Sequence, residues 1–231
     1  MADKIIVVTG ASGNLRQAVV KNFLRDGYTV IGTTTHNKQA EKDAVDKKLE
    51  LVAVDLINEE SAQQFVEDII QKHGRIDAAV LTVGGFAMGS VVKTTTADIL
   101  RQYKLNFETV YNTVRPVFVQ MLRQNSGRIF IIGSRPGLEA AQSNGMVAYG
   151  LTKSLLFRLA EMMNMEAKDT NVVTSVVVPS IIDTPQNRKD MPDADAGKWV
   201  KPEAIADIIS FYCTDDAAAV RAPIIKVYNN A

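Results

Sequence analysis

The sequence predicts one α/β domain of the doubly wound kind, a central parallel sheet with helices on both faces. Three observations predict it. Short runs rich in Val and Ile alternate along the chain with stretches of helical periodicity. The runs are apolar at successive positions rather than at every second one, so both faces of each strand should be covered, as in parallel sheets. No linker, repeat or low-complexity segment interrupts the alternation, so residues 1–231 are expected to form a single domain.

The first strand is expected at 5–8, where Ile-Ile-Val-Val runs into the Thr9-Gly10 turn. Helical spacing follows over 15–24 and closes at Asp26-Gly27. Strands are expected at 28–32 and 50–54, the second ending on Asp55. A helix at 61–73 stops at Gly74, and 76–81 reads as the fourth strand. Residues 97–123 carry one long helical pattern, in which Pro116 predicts a kink. A strand at 128–132, a helix at 147–167, a strand at 172–178, a helix at 203–213 and a strand at 224–228 complete the chain.

Composition narrows the function. The 26 basic and 26 acidic residues balance to a formal net charge of zero. That argues against nucleic acid or an anionic membrane as the main partner. The lone Cys213 excludes an internal disulfide and a thiolate cluster, and His36 and His73 have no partner at ligand spacing, so no metal is expected. No apolar run reaches the roughly 20 residues of a membrane span. Met1-Ala2-Asp3-Lys4 leads straight into a strand pattern, so no signal peptide is expected. A cytoplasmic protein acting on a small molecule is the expectation.

The chemistry centres on Tyr149-Gly150-Leu151-Thr152-Lys153. A phenol and an ammonium four residues apart share one helix face. Tyrosine titrates near about 10, too high to exchange protons well at neutral pH, and a nearby ammonium favours the phenolate. The spacing also arises by chance in many helices, so its neighbours carry the weight. Ser134 follows the fifth strand in Ile132-Gly133-Ser134-Arg135-Pro136-Gly137, at the end of the sheet where ligands bind. Ser143 is a rival nearer to Tyr149. Asn106, disfavoured by propensity inside a helical pattern, suggests a role of its own.

The first strand-to-helix turn reads Thr9-Gly10-Ala11-Ser12-Gly13-Asn14-Leu15-Arg16. Glycines there let the backbone approach a phosphate, which the free N–H groups of the next helix would receive. The end of the second strand reads Thr33-Thr34-Thr35-His36, with no acid before Glu41 and with Lys38 nearby. Hydroxyls in place of a carboxylate lean toward NADP(H) over NAD(H).

These motifs, in this order over nearly the whole chain, resemble the short-chain dehydrogenase/reductases, whose fold is the Rossmann fold. The family's usual Thr-Gly-x-x-x-Gly-x-Gly places its later glycines at Asn14 and Arg16. Arg16 is therefore expected either to reach the cofactor phosphates or to obstruct the site. Val83-Gly84-Gly85 stands where the family has Asn-Ala-Gly, and Pro179-Ser180 through Thr184 resembles its Pro-Gly-x-x-x-Thr. The resemblance implies a catalytic set of Asn106, Ser134, Tyr149 and Lys153. It implies cofactor contacts from Gly10, Ser12, Gly13, Asn14, Leu15, Arg16, Thr34, Thr35, Asp55, Leu56, Val83, Gly84, Tyr149, Lys153, Pro179, Ile182 and Thr184. A homodimer or homotetramer built on the helices at 97–123 and 147–167 is expected, because both carry surplus apolar residues, Met162, Met163 and Met165 among them.

A narrower resemblance is to the dihydropteridine reductase branch. It rests on Gly84-Gly85-Phe86, on Tyr149-Gly150 to Lys153, and on the polar segment 183–195 followed by Trp199. That branch usually lacks the catalytic serine and carries an acid after the second strand, whereas Ser134 and Thr34-Thr35 stand here. The resemblance implies a dihydropterin-like substrate, with a small carbonyl or alcohol as the alternative. A cofactor-binding regulator or scaffold with little turnover is the reading of another class, favoured by Arg16 and Val83.

Overall fold

Alternation within β1 (Ile5–Thr9) builds the whole architecture. Ile5 and Val7 point to one side of the sheet and Ile6 and Val8 to the other, and all four are buried. The structure is a computed structural model and describes residues 4–10, 13–34 and 46–230. Ser12 and Thr35 lie outside the described residues, as do His36, Lys38 and Glu41.

After β1 come α1 (Asn14–Arg25), β2 (Thr29–Thr34) and β3 (Leu49–Ala53). They are followed by α2 (Glu59–His73), β4 (Ala78–Leu81), α3 (Thr96–Tyr103) and α4 (Thr109–Gln124). β5 (Ser126–Ile132), the single turn α5 (Arg135–Leu138) and the long α6 (Val147–Glu166) come next. β6 (Asn171–Pro179), the short α7 (Pro185–Asp190), α8 (Pro202–Tyr212) and β7 (Ile224–Val227) end the chain. The seven strands lie in the order β3-β2-β1-β4-β5-β6-β7, every neighbouring pair parallel. The predicted doubly wound α/β domain is the fold observed.

Two cores result. Phe65, Val66 and Ile69 of α2, Val114 and Met121 of α4, and Leu156 of α6 cover one face. Val19 and Phe23 of α1 with Ile205 and Ile209 of α8 cover the other. Helix ends follow local chemistry. The Asn58 side chain accepts from the Ser61 N–H to start α2, and Gly74, at φ 75°, ends it. Thr95 and Asp98 form a reciprocal capping box on α3.

The long helix differs from expectation. Pro116 lies inside α4, and the departure from α geometry comes earlier, in a π-helical turn at Lys104–Glu108 that carries Asn106. The segment 183–195, expected as a polar loop, contains α7, which is too short to show helical periodicity. An ion pair from Arg188 to Asp183 and a bridge between Ile182 and Val200 hold it. Trp199 beside it is buried.

Candidate active site

Strand order reverses between β1 and β4, and the crevice outside their carboxyl ends is where such sheets bind ligands. The glycine-rich turn sits there. Gly10 has φ +115°, and a Cβ on it would collide with the Thr82 hydroxyl, which donates to the Thr9 carbonyl. The Gly10 N–H donates to Thr33 Oγ1 at 3.2 Å, tying the turn to the end of β2. Thr33 and Thr82 therefore lock a turn whose sequence signature named only the glycines.

Gly13 differs from Gly10. Its φ of −68° suits any residue, and a Cβ there would meet no atom of the other described residues within 4 Å. Among the described residues no side chain caps α1. Such a helix start suits the phosphates of a dinucleotide. Asn14 is half-buried at this helix start, while the Leu15 side chain belongs to the core, leaving only its backbone to the crevice.

A cleft of about 480 Å³ runs on from the turn, lined by Gly10, Thr34, Asp55, Leu56, Val83 and Thr109 among others. Five cofactor residues expected from the sequence thus come together. The Asp55 carboxylate accepts from the Ile57 N–H at 3.0 Å, so its own turn engages one oxygen. Arg16 does not reach over the open Gly13 turn. Its guanidinium lies against Gly32 of β2, where a Cβ would come 3.0 Å from Nη2.

The expected reaction centre is assembled at the ends of β4, β5 and β6. Ser134 is buried, accepts from the Gly137 N–H at 3.2 Å, and is hydrogen-bonded to the Tyr149 phenol. Ser143 is not the partner: its hydroxyl donates to the Pro136 carbonyl. Lys153 is 4% exposed and donates from Nζ to the Ile132 carbonyl at 2.8 Å. Burial alone pushes its ammonium down to about 8.

One expectation is reversed. The Tyr149 phenol is raised, not lowered: burial drives it up, and the Ser134 hydrogen bond pulls only partly back. The motif predicted a downward shift from the lysine charge; the causes that act are burial and the Ser134 hydrogen bond, with none from Lys153. Phe86 presents its edge to the Tyr149 ring, centroids 5.1 Å apart at 73°, and is itself 60% exposed at the cleft mouth.

Asn106 is completely buried, and its amide clasps the backbone of Gly85. Oδ1 accepts from the Gly85 N–H at 2.9 Å, and Nδ2 donates to the Gly85 carbonyl at 3.0 Å and to Gln102 Oε1 at 2.8 Å. It positions the turn after β4. A Cβ at Gly84 would lie 2.8 Å from Asn106 Oδ1 and 3.1 Å from Lys153 Nζ, so this turn also fits around the lysine. The amide pair Gln102–Asn106, four apart on one helix face, is the signal that would have found Gln102.

The loop after β4 is tied to the start of α6. The Gly89 N–H donates to the Gly145 carbonyl at 2.6 Å, and the Val147 N–H donates to the Gly89 carbonyl at 3.0 Å. On the far side, buried Pro179 ends β6, and Ser180, in place of the family's glycine, donates to the Tyr228 carbonyl at 2.6 Å. The Ile182 carbonyl accepts from Asn187 Nδ2, and Thr184 Oγ1 accepts from the Asn187 N–H at 3.1 Å as the cap of α7. The Thr184 hydroxyl keeps its proton for another acceptor. Among the described residues no group of His, Cys, Asp and Glu is placed to hold a metal ion.

The family model of the short chain dehydrogenases matches residues 4–195. The chain is 24% identical to the 3-oxoacyl-[acyl-carrier-protein] reductase FabG of Thermotoga maritima, over 97% of this chain and 96% of that protein. It is 28% identical to the acetoacetyl-CoA reductase of Acinetobacter sp., over 79% of this chain and 75% of that one. Among solved structures it resembles ElxO with NADP bound, with a TM-score of 0.91, 21% identity and 98% of each chain covered.

Proposed function

The chain belongs to the short-chain dehydrogenase family, an NAD(P)-dependent oxidoreductase by that membership, and we propose that it reduces a small carbonyl or dihydropterin-like substrate with NADP(H). The observation that carries this reading is the convergence of Ser134, Tyr149 and Lys153 on the open end of the sheet, beside the start of α1 and a cleft of about 480 Å³.

When bound, the nicotinamide supplies the hydride. Everything else falls to the chain. The N–H groups at the start of α1 and the space beside Gly13 would hold the pyrophosphate. Asp55, Leu56 and Val83 would enclose the adenosine. Pro179, Ile182 and the Thr184 hydroxyl would face the nicotinamide amide. Ser134 holds the substrate oxygen and the charge that develops on it. Tyr149, kept protonated by burial, donates its proton to that oxygen. Lys153, by the family resemblance, would hold the nicotinamide ribose and favour the phenolate left after donation.

NADP(H) is favoured because β2 ends in Thr33-Thr34, and neither threonine can accept from a ribose 2′-hydroxyl as a carboxylate does. The substrate class follows from the aromatic mouth at Phe86 and from the resemblance to dihydropteridine reductases. The names of the FabG and acetoacetyl-CoA relatives add 3-oxoacyl thioesters to the carbonyls worth trying. The reading is of a cytoplasmic homodimer or homotetramer, its contacts formed by the exposed apolar stripe of α6 and by Tyr111 and Val119 of α4.

NADPH and NADH oxidation is to be measured against 3-oxoacyl thioesters, small aldehydes and ketones, and quinonoid dihydropterin. Turnover that Tyr149→Phe abolishes supports the reading. Tight nucleotide binding with no turnover on any of these would turn the assignment to a cofactor-binding regulator, for which Arg16 and Val83 at altered motif positions speak.

A further inference from the structure

A second cavity, of about 450 Å³, opens beside the start of α8, where Lys201 and Ala204 line it. None of its lining residues lines the cleft at Gly10 or belongs to the reaction centre. It sits on the other side of the sheet from the proton donor. Val200 and Val227, which line it, belong to the core under α1 and α8, whereas Leu156 of α6 belongs to the core of the opposite face. Its size is that of a small-molecule site, for which about 300–1,000 Å³ is usual.

Backbone hydrogen bonds fix its walls. The Asp183 N–H donates to the Val200 carbonyl at 2.8 Å, and the Val200 N–H donates to the Ile181 carbonyl at 2.9 Å. Asn229 Nδ2 donates to the Trp199 carbonyl at 3.0 Å. A ligand therefore meets a cavity that is already ordered. Trp199, Val200, Ala204 and Val227 give it apolar surface, and the charges lie together. Asp183 is the one acid in the lining, and Arg188 donates to both its oxygens, at 2.6 and 2.8 Å. Lys201 is close enough to help Arg188 hold that carboxyl below its usual range. Lys201 itself is exposed and makes no ion pair among the described residues. Two cations against one carboxylate leave one positive charge in excess, and it belongs to Lys201.

We propose that this cavity is a binding site for a small carboxylate with an apolar body, a ligand other than the substrate. The body would pack on Val200, Ala204 and Val227, and the carboxylate would pair with the Lys201 ammonium. A neutral body of the same shape gains only the packing. An amine would bring a second cation to Lys201, with Asp183 already engaged.

Trp199 is the chain's one tryptophan and lines the cavity, so its fluorescence reports occupancy. Titration with phenylacetate, phenylacetamide and phenethylamine varies the charge on one apolar body. Phenylacetate should bind at least about threefold tighter than the amide, the scale of an ion pair at an exposed lysine, and the amine should bind weakest. Lys201→Gln should bring phenylacetate to the level of the amide. Ala204→Phe, at an exposed position of α8, should fill the cavity and abolish the response to all three. If Ala204→Phe does not fold, Ala204→Leu carries that arm. The proposal is overturned if the three probes bind alike, if Lys201→Gln leaves phenylacetate affinity unchanged, if the filled variant still responds, or if no probe perturbs Trp199. No nucleotide takes part, so the result is independent of the cofactor reading above.

Discussion

Asn106→Ala separates two roles that the sequence left together. The residue is completely buried, and its amide makes four hydrogen bonds: from the Gly85 N–H, to the Gly85 carbonyl, to Gln102 Oε1 and, at 3.4 Å, to Thr152 Oγ1. Alanine removes all four and leaves the partners in a buried site. A neutral hydrogen bond contributes about 1 kcal/mol net, and a buried group left without a partner costs about 1–3 kcal/mol. The structure therefore predicts a loss of roughly 3 kcal/mol or more. Urea unfolding should show the midpoint falling at constant m-value. Activity should fall too, because the turn at Gly84-Gly85 packs on Lys153. A loss below about 1 kcal/mol, accompanied by a hundredfold fall in kcat, would refute the bracing role and restore the catalytic role that the family resemblance implies.

Tyr149→Phe should lower kcat by about 10²–10⁴-fold and leave NADPH affinity unchanged in a fluorescence titration; a residual rate above a tenth of wild type would remove Tyr149 as the acid. Lys153 titrates at about 8, below its ordinary value, so its ammonium is present below that pH and lost above it. Reductive kcat/KM should therefore be flat toward neutral pH and fall by about tenfold per unit above the break; a profile with no break up to pH 10 contradicts the assignment. Leu151, Leu155, Met162 and Met165 form one exposed stripe along α6, so light scattering at micromolar concentration should give a dimer or tetramer, and Leu155→Glu with Met162→Glu a monomer. Monomeric wild-type protein would refute that. Gly10→Ala meets both a strained φ and the Thr82 hydroxyl, and should cost more than 1 kcal/mol in the same urea assay, roughly the penalty of a single left-handed residue plus a clash; a loss under half that would show the turn can move.

The strands were legible because parallel sheets bury both faces, so Ile5–Thr9 and Ala78–Leu81 carry unbroken apolar runs. The long helices were legible from their period. α5 and α7 were not, because four and six residues are too few to establish one. The π turn escaped because Leu105 and Phe107 keep helical spacing on either side of Asn106. In the site, Ser134, Tyr149 and Lys153 were legible as local motifs, with Ser143 a rival to Ser134; what sequence could not show is that the Ser143 hydroxyl is bonded to the Pro136 carbonyl. The acidity of Tyr149 was misjudged because sequence shows neighbouring charge and hides desolvation. The contact of Arg16 with Gly32 joins positions with no periodic relation, and no pattern announces it. Of the two surplus methionines nearest each other in sequence, Met163 turned out to be core and Met162 surface.

The pair of backbone hydrogen bonds through Gly89 couples two parts of the site that chemistry keeps separate. One part is the loop after β4 that carries Phe86 and Gly89; the other is the first turn of the helix that carries Tyr149. Stitched in this way, they travel together. On the proposed reading, a ligand that wedges this loop outward would also drag the Tyr149 phenol away from the oxygen it is proposed to protonate, and a misplacement of about 1 Å at the reacting atoms is enough to slow a reaction about a hundredfold. Substrate girth would then register in turnover as well as in affinity. Discrimination of that kind acts after binding, so a misfitting molecule could occupy the cleft and still leave unchanged.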